Sequence, residues 1–250
     1  MSTANYKGWQ NLPTIQSKEI LTELLEAKED KKALMLIADT GVGKSNSIKL
    51  FQQKKPKHTY VVTLGDTYGL IAVLNELQLS LGLPVFSGKN SKHSSLRQIS
   101  KELNRLAEDG ADPIIILDEA ENAKINTLKA LKQLYDAVID NCGIVLIGTD
   151  QLIGILNKKT AGQSIPQLRR RFKAGTRFIT SFNKAKDMKP FFDLHIPKEL
   201  DLQDLLIELC DNYGELHDYL HRFLQHCDKK NLPVTEQNFR LYHKIPKTKR

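Results

Sequence analysis

The chain has 250 residues, and its 40% hydrophobic and 26% charged residues are ordinary for a globular protein, which excludes a disordered or fibrous chain. Its 37 lysines and arginines exceed its 29 acidic residues, and the resulting net charge of +8 favours an anionic partner. This excess is uneven, because residues 1–180 contain 25 basic and 18 acidic residues whereas residues 181–250 contain 12 and 11.

The sequence carries no sign of export or of membrane insertion. Its apolar runs have the length of strands, far below the ~18 residues of a membrane span, and its first residues lack the apolar stretch of a secretory signal. Three cysteines, an odd number without CxxC spacing, argue against disulfides and against a zinc site. We therefore expect a cytoplasmic protein without membrane contact.

Short apolar runs alternate with helical periodicity along the first 180 residues, which predicts an α/β domain with a mainly parallel, five-stranded sheet. The predicted strands are residues 33–37, 60–64, 113–117, 143–147 and 177–180. The predicted helices are residues 18–27, 44–53, 68–81, 96–107, 124–139 and 151–157. A long, polar and basic loop is expected over residues 82–95.

The pattern changes after residue 181, where the strands stop. Helices are predicted there at residues 200–209, 215–226 and 236–242. We expect three parts: a core over residues 1–181 with a short N-terminal extension, a small helical lid over residues 182–242, and a tail over residues 243–250. The tail is basic and able to touch a phosphate backbone or an acidic partner.

The strongest motif is ADTGVGKS, residues 38–45, which directly follows the first predicted strand and opens a helix, as a phosphate-binding loop requires. Glycines let successive N–H groups face phosphates, Lys44 neutralises the β and γ charges, and Ser45 coordinates Mg²⁺. Ala38 replaces the commoner first glycine, which is tolerated because that residue ends the strand. The residues predicted to bind ATP are Thr40, Gly41, Val42, Gly43, Lys44, Ser45 and Asn46.

A second motif, PIIILDEAEN, places two carboxylates at the end of a buried strand. Asp118 is positioned to hold Mg²⁺ through the water shell of the ion, and Glu119 to orient and deprotonate a water for in-line attack on the γ-phosphate. This pair makes hydrolysis of ATP to ADP and phosphate the expected reaction, beyond binding alone.

Two further motifs follow. GIVLIGTD ends another buried strand, where Thr149 or Asp150 could hydrogen-bond the γ-phosphate or the lytic water, although Asp150 fits a helix N-cap equally well. QLRRRF brings three arginines before the last predicted strand, where a guanidinium such as that of Arg170 or Arg171 could reach a phosphate on a neighbouring subunit, or simply face solvent or DNA.

These four motifs in this order, followed by a helical segment, resemble those of AAA+ ATPases: Walker A, Walker B, sensor 1 at Thr149 and an arginine finger. The resemblance implies an AAA+ P-loop NTPase core and catalytic roles for Lys44, Asp118, Glu119, Thr149, Arg170 and Arg171. In detail, IIILDEAEN, LIGTDQL and LRRRF are most similar to the Mu-type B transposition protein and related target-selection regulators. That likeness implies ATP-dependent rings or helical filaments on DNA, recruitment and activation of a transposase, and disassembly by hydrolysis.

The sequence departs from this family twice. Only about thirty residues precede the first strand, too few for the helix-turn-helix domain of the Mu-type protein, so we expect the ATPase core itself to contact DNA. The second departure concerns sensor 2, commonly an arginine in a G-x-x-R pattern, because here the matching positions are Gly214 and His217.

The predicted contacts with double-stranded DNA are basic residues in and after the long loop. Lysines mixed with serines suit phosphate contacts with little base reading, so binding should tolerate any sequence and weaken steeply with salt. The residues are Lys89, Lys92, Arg97 and Lys101.

Two other functions stay open. A helicase loader or replication initiator of the IstB or DnaC-like kind would use the same chemistry, whereas a small P-loop kinase would pass the phosphoryl group to a metabolite. Near the N-terminus, Tyr6, Trp9 and Leu12 are expected beside the nucleotide base, at an adjoining subunit or in simple core packing.

Overall fold

Five short strands form one sheet in the computed structural model, which describes residues 6–86, 91–157 and 166–246. The strands are β1 Ala33–Ile37, β2 Thr59–Thr63, β3 Ile114–Asp118, β4 Gly143–Gly148 and β5 Thr176–Phe178. Their order is β2-β3-β4-β1-β5, and every pairing between them is parallel. The five predicted strands and the α/β class are confirmed.

The interior strands β3 and β4 show why the strands could be predicted from the sequence. Every residue of β3 and of β4 is buried, and apart from Asp118 at the end of β3 both strands are apolar runs, the signature of parallel strands covered on both faces. Neighbouring registers place Thr63 beside Asp118 and Ile37 beside Gly148. The C-terminal ends of these strands, which carry the predicted catalytic groups, therefore share one edge of the sheet.

By its contacts the chain divides into two units. The sheet unit comprises Lys18–Asp39 and Lys44–Thr180; the helical unit comprises the described residues up to Ser17, Thr40–Gly43 and the described residues from Ser181 onward. Helices with residues in the sheet unit are α1 Ile15–Glu29, α2 Lys44–Lys54, α3 Leu70–Ser80, α4 Ser91–Glu108, α5 Ile125–Ala137, α6 Asp150–Asn157 and α7 Pro166–Lys173.

Two helices of the sheet unit differ from expectation. α4 begins at Ser91, so the predicted loop over residues 82–95 is too long at its C-terminal end. Ser91 and Ser95 are buried two turns and one turn before Ile99, so these small polar side chains continue the buried face of the helix although they are not hydrophobic. α7 was not predicted; Leu168 and Phe172, one turn apart and fully buried, anchor it.

The helical unit contains α8 Lys184–His195, α9 Leu200–Leu209, α10 Tyr213–Leu216, a π-helical stretch His217–His221, α11 Arg222–Lys230 and α12 Glu236–His243. α8 was missed because Pro190 lies inside it and interrupts the pattern. It begins where the Asn183 side chain accepts a hydrogen bond from the Lys186 amide, and it buries Met188, Phe191 and Phe192 on one face.

Among the residues that the structure describes, no helix has both the length and the hydrophobicity needed to cross a bilayer.

Candidate nucleotide and DNA sites

The predicted Walker groups Lys44, Ser45 and Asp118 lie together in the sheet unit. The Ser45 hydroxyl donates to Asp118 Oδ2 at 2.7 Å, and the Glu119 amide donates to Asp118 Oδ1 at 3.0 Å. Asp118 is 2% exposed, so its charge is fixed in place by hydrogen bonds at both oxygens. A hydroxyl and a carboxylate oxygen are ligands that Mg²⁺ prefers. The two side chains therefore fit the predicted metal site.

Lys44 completes this group from the first turn of α2. Its ammonium donates to the backbone oxygens of Ala38 and Asp39, at 3.1 and 2.8 Å. Burial lowers the pKa of Lys44, while Glu121 leads the nearby carboxylates that oppose this effect. The Ala38 amide donates to the Gly148 oxygen at 3.0 Å and so extends β1 by one residue, as expected of a residue that ends the strand.

Glu119, the predicted base, has an unusual backbone. Its φ of 53° lies in the left-handed region, which turns the chain sharply after β3 into the 3-10 turn Ala120–Asn122. Its exposed side chain accepts a hydrogen bond from the side-chain amide of Asn122 at 3.3 Å. The same side-chain amide donates to the backbone oxygen of Leu64 at 2.9 Å. Asn122, which sequence reasoning missed, thus links Glu119 to the end of β2.

Thr149, the predicted sensor 1, directly follows β4. Its Oγ1 is buried and has no hydrogen-bond partner among the described residues. Asp150 is exposed and opens α6. Of the two residues considered from the sequence, Thr149 is thus the one that keeps a buried polar atom at the edge of the sheet.

The loop Thr40–Gly43 belongs to the helical unit. Gly41 and Gly43 have φ values of +76° and +91°, which glycine adopts without strain. Gly41 is also required for space, because a Cβ there would overlap the Asn212 side chain. Asn212 in turn caps α10, accepting from the Glu215 amide at 3.0 Å. No sequence pattern indicated Asn212.

The two candidate finger arginines on α7 differ. Arg171 donates to Asp136 at 2.7 and 3.0 Å and lies over the Tyr135 ring, so it is already engaged within its own unit. Arg170 is exposed and has no partner among the described residues. A guanidinium that must reach another subunit has to be free, and this favours Arg170.

Only some of the residues predicted to contact DNA lie on one surface. Lys92, Arg97 and Lys101 are exposed on α4, whereas Lys89 lies outside the described residues. Arg97 and Lys101 are one turn apart on one face, but Lys92 lies roughly 140° away around the helix axis at ~3.6 residues per turn. Arg97 and Lys101 therefore form the coherent part of the predicted contact.

The N-terminal aromatic residues Tyr6 and Trp9 are partly buried and pack against the core of the helical unit. Trp9 stacks on Phe191 and His195, with ring centroids 5.4 and 5.1 Å apart, and meets His217 edge-on at 5.0 Å. These contacts are core packing, whereas contact with a nucleotide base or an adjoining subunit stays a prediction. His217, at the sensor 2 spacing, thus has its ring against Trp9.

A family model described as "AAA domain" matches residues 27–156, just over half of the chain. The chain belongs to the AAA domain family. The predicted AAA+ fold is thereby confirmed. No curated protein matches this AAA protein.

Solved structures with the same fold include two from Aeropyrum pernix. They are the ORC1 protein in complex with DNA (13% identity, TM-score 0.66, 92% of this chain and 64% of that chain) and the ORC2 protein in ADPNP-ADP complexes (13%, 0.65, 98% and 71%). Domain III of the Thermotoga maritima replication initiation protein DnaA matches at 14% identity and TM-score 0.60, over 92% of this chain and 91% of that one. The AAA protein spans less than two thirds of the ORC1 chain.

Proposed function

We propose that this AAA protein hydrolyses ATP and uses the nucleotide to control its hold on double-stranded DNA. The observation that carries the proposal is the hydrogen bond from Ser45 to Asp118, with Lys44 on the adjoining turn. These groups supply a cation for the phosphates and oxygen ligands for Mg²⁺ in one place. Bound there, Mg²⁺ would neutralise phosphate charge.

Glu119 suits water activation better than transfer to a metabolite. It is exposed directly beyond the buried Asp118, and a hydrogen bond to Asn122 restrains it. An exposed carboxylate at the end of β3 can reach a water on the open side of the sheet edge. This arrangement supports an ATPase over the small P-loop kinase.

DNA binding is supported by charge. Arg97 and Lys101 are unpaired, exposed and on one face of α4, in the part of the chain that carries most of the positive excess. Charges of this kind bind phosphates without reading bases, so we propose binding of duplex DNA with little sequence preference. The likeness in fold to ORC1, solved in complex with DNA, agrees with this.

We further propose that the protein forms homo-oligomers with ATP and acts in DNA transposition as target selector and transposase activator. The support is the similarity of LDEAEN, LIGTDQL and LRRRF to the Mu-type family, together with the unpaired Arg170, which is free to reach a neighbouring subunit. In such an assembly, nucleotide state would decide whether copies stay together on DNA.

A second candidate is a replication initiator or helicase loader. It is favoured by the fold shared with domain III of DnaA and with ORC1, the former over 92% of this chain. The two candidates share ATP, Mg²⁺ and DNA and differ in the protein partner, a transposase in one case and a helicase in the other.

Phosphate release by the purified chain tests the proposal. We expect free phosphate from ATP and Mg²⁺ without any acceptor metabolite, a rate that changes with added duplex DNA, and loss of release in Lys44→Ala. Release only with an acceptor would support the kinase, and no release under any condition would refute the ATPase. Electron microscopy with a non-hydrolysable ATP analogue and DNA should show rings or filaments; a monomer there would refute assembly.

A double substitution tests the DNA surface. Arg97→Ala with Lys101→Ala should weaken binding equally for unrelated duplexes and reduce the slope of log K against log salt by ~1.8, at ~0.9 per lost phosphate contact. The matched control is Lys186→Ala with Lys189→Ala, which removes the same charge from the exposed side of α8. Equal slopes for both double variants would exclude Arg97 and Lys101.

A further inference from the structure

Glu121, three residues after Asp118, is the one acidic side chain of the LDEAEN motif to which sequence analysis gave no role. It lies in the 3-10 turn Ala120–Asn122, which packs against β4 and α6. Its Oε2 is buried and has no hydrogen-bond partner among the described residues. A buried carboxylate oxygen without a partner is unfavourable, so it calls for a group that completes it.

Gly148 makes room for this carboxylate. A Cβ at Gly148 would overlap Glu121 Oε2, and the next nearest atoms, Cδ and the amide nitrogen of the same residue, are 3.4 Å away. The φ of Gly148 is not positive, so backbone conformation does not require glycine there. What the glycine provides at the end of β4 is space for Glu121.

A second partnerless atom belongs to the residue that follows Gly148. Thr149 Oγ1, one residue beyond Gly148, is also buried without a hydrogen bond. The two groups are complementary, since an ionised carboxylate only accepts hydrogen bonds and a hydroxyl can donate one. A water molecule bound between them would satisfy both at once, because it can accept from Thr149 and donate to Glu121.

We propose that Glu121 Oε2 and Thr149 Oγ1 together hold the water that attacks the γ-phosphate, which makes Glu121 a second catalytic carboxylate beside Glu119. This inference rests on the proposed ATPase function. One hydrogen of the water is transferred to Glu119 as its oxygen bonds to the γ-phosphorus and the bond from that phosphorus to the β–γ bridging oxygen breaks. The other hydrogen stays on the attacking oxygen, hydrogen-bonded to Glu121, and ADP carries the electron pair of the broken bond.

The position of Glu121 agrees with this role. Burial lowers the pKa of Lys44, and among the carboxylates that oppose this by raising it, Glu121 has the largest effect, ahead of Asp118 and Glu119. Its negative charge therefore acts on the side chain that is predicted to grip the transferred phosphate.

Steady-state hydrolysis of Glu121→Ala and Glu121→Gln tests the inference. We expect kcat to fall at least tenfold in Glu121→Ala with KM within twofold of the wild type, because the water and not ATP loses its partner. Glu121→Gln keeps an acceptor oxygen of the same size and should lie between them. Glu108→Gln, an exposed carboxylate without a partner at the end of α4, is the matched control and should leave both constants unchanged.

Two double-mutant cycles separate this role from a merely structural one. Gly148→Ala should lower kcat as Glu121→Ala does, and should cost nothing further in the Glu121→Ala background, where the overlapping carboxylate is gone. Thr149→Ala and Glu121→Ala should likewise combine to no more than the larger single effect, since both lose the same water.

The outcomes are distinct. If the wild type hydrolyses ATP and Glu121→Ala has the same kcat, this inference is wrong and the proposed ATPase function is unaffected. The same conclusion follows if the effects of Thr149→Ala and Glu121→Ala on kcat multiply. A lower melting temperature with unchanged kcat assigns Glu121 a structural role only. Absence of hydrolysis by the wild type overturns both proposals.

Discussion

Lys28 is a buried cation whose replacement should destabilise the sheet unit. Its residue is 8% exposed, and its ammonium donates to three backbone oxygens, those of Lys57, His58 and Asp112, at 2.9, 3.2 and 2.5 Å. The acceptors precede β2 and β3, so one side chain of α1 joins the entries of two neighbouring strands. Burial lowers the pKa of Lys28, which marks the desolvation that these hydrogen bonds offset.

We expect Lys28→Met to lower the free energy of unfolding by about 3 kcal/mol. Methionine fills most of the volume of the aliphatic part of the lysine side chain, so little cavity forms. Three carbonyls lose a charged donor, and each such hydrogen bond contributes ~1.5–3 kcal/mol to stability. Water that enters to solvate the carbonyls offsets part of this loss. Urea unfolding followed by far-UV circular dichroism measures the change. The control, Lys54→Met, alters an exposed lysine without a partner on α2. A loss below ~1 kcal/mol, no larger than that of the control, would refute the reasoning.

Two further predictions concern the catalytic groups, and a third concerns the stability of the helical unit. Glu119→Gln should keep ATP and DNA binding but slow phosphate release by ~10²-fold or more and leave long-lived assemblies in sedimentation; unchanged release would remove Glu119 from the base role. Arg170→Ala should lower hydrolysis only in the assembled state, whereas a loss equal in dilute monomer would show that Arg170 does not act across subunits. Burial and the neighbouring His221 lower the pKa of His195 below 6.5, so the folded helical unit favours the neutral ring. The neutral His195 ring therefore contributes stability to the helical unit above about pH 6.5, and this contribution is lost as the pH falls through the lowered pKa. The single tryptophan, Trp9, stacks on His195 and should report the unfolding by its fluorescence. A midpoint of thermal unfolding unchanged between about pH 7.5 and 5.5 would contradict it.

Much of the fold could be predicted because its central strands are buried on both faces. β1 and α9 have the predicted bounds, and β3 and β4 are off by a residue at most. The errors in helix bounds and helix number arise where the buried face of a helix includes polar residues, or where a proline lies inside the helix, because neither gives a hydrophobic pattern. Ser91 and Ser95 face the core of the sheet unit as small polar residues, and Pro190 sits within a helix that side chains on one face hold in place.

The Walker residues could be predicted because their spacing along the chain is itself the signal. Lys44, Ser45 and Asp118 are brought together by two short motifs that end adjacent elements. Asn212 could not be found this way, because its contact with Gly41 joins segments about 170 residues apart and only the folded chain brings them together. The only sign of Glu121 in the sequence is Gly148, a glycine at the end of a fully buried strand where an apolar side chain would otherwise be expected.

The hydrogen bond between Ser45 and Asp118 also has a thermodynamic consequence. It holds the Ser45 hydroxyl and the Asp118 carboxylate together, 2.7 Å apart, before any ligand binds. If Mg²⁺ binds there as proposed, the hydroxyl can offer a lone pair to the metal and still donate its proton to Asp118. We therefore expect binding to cost less side-chain entropy than it would for two freely rotating side chains.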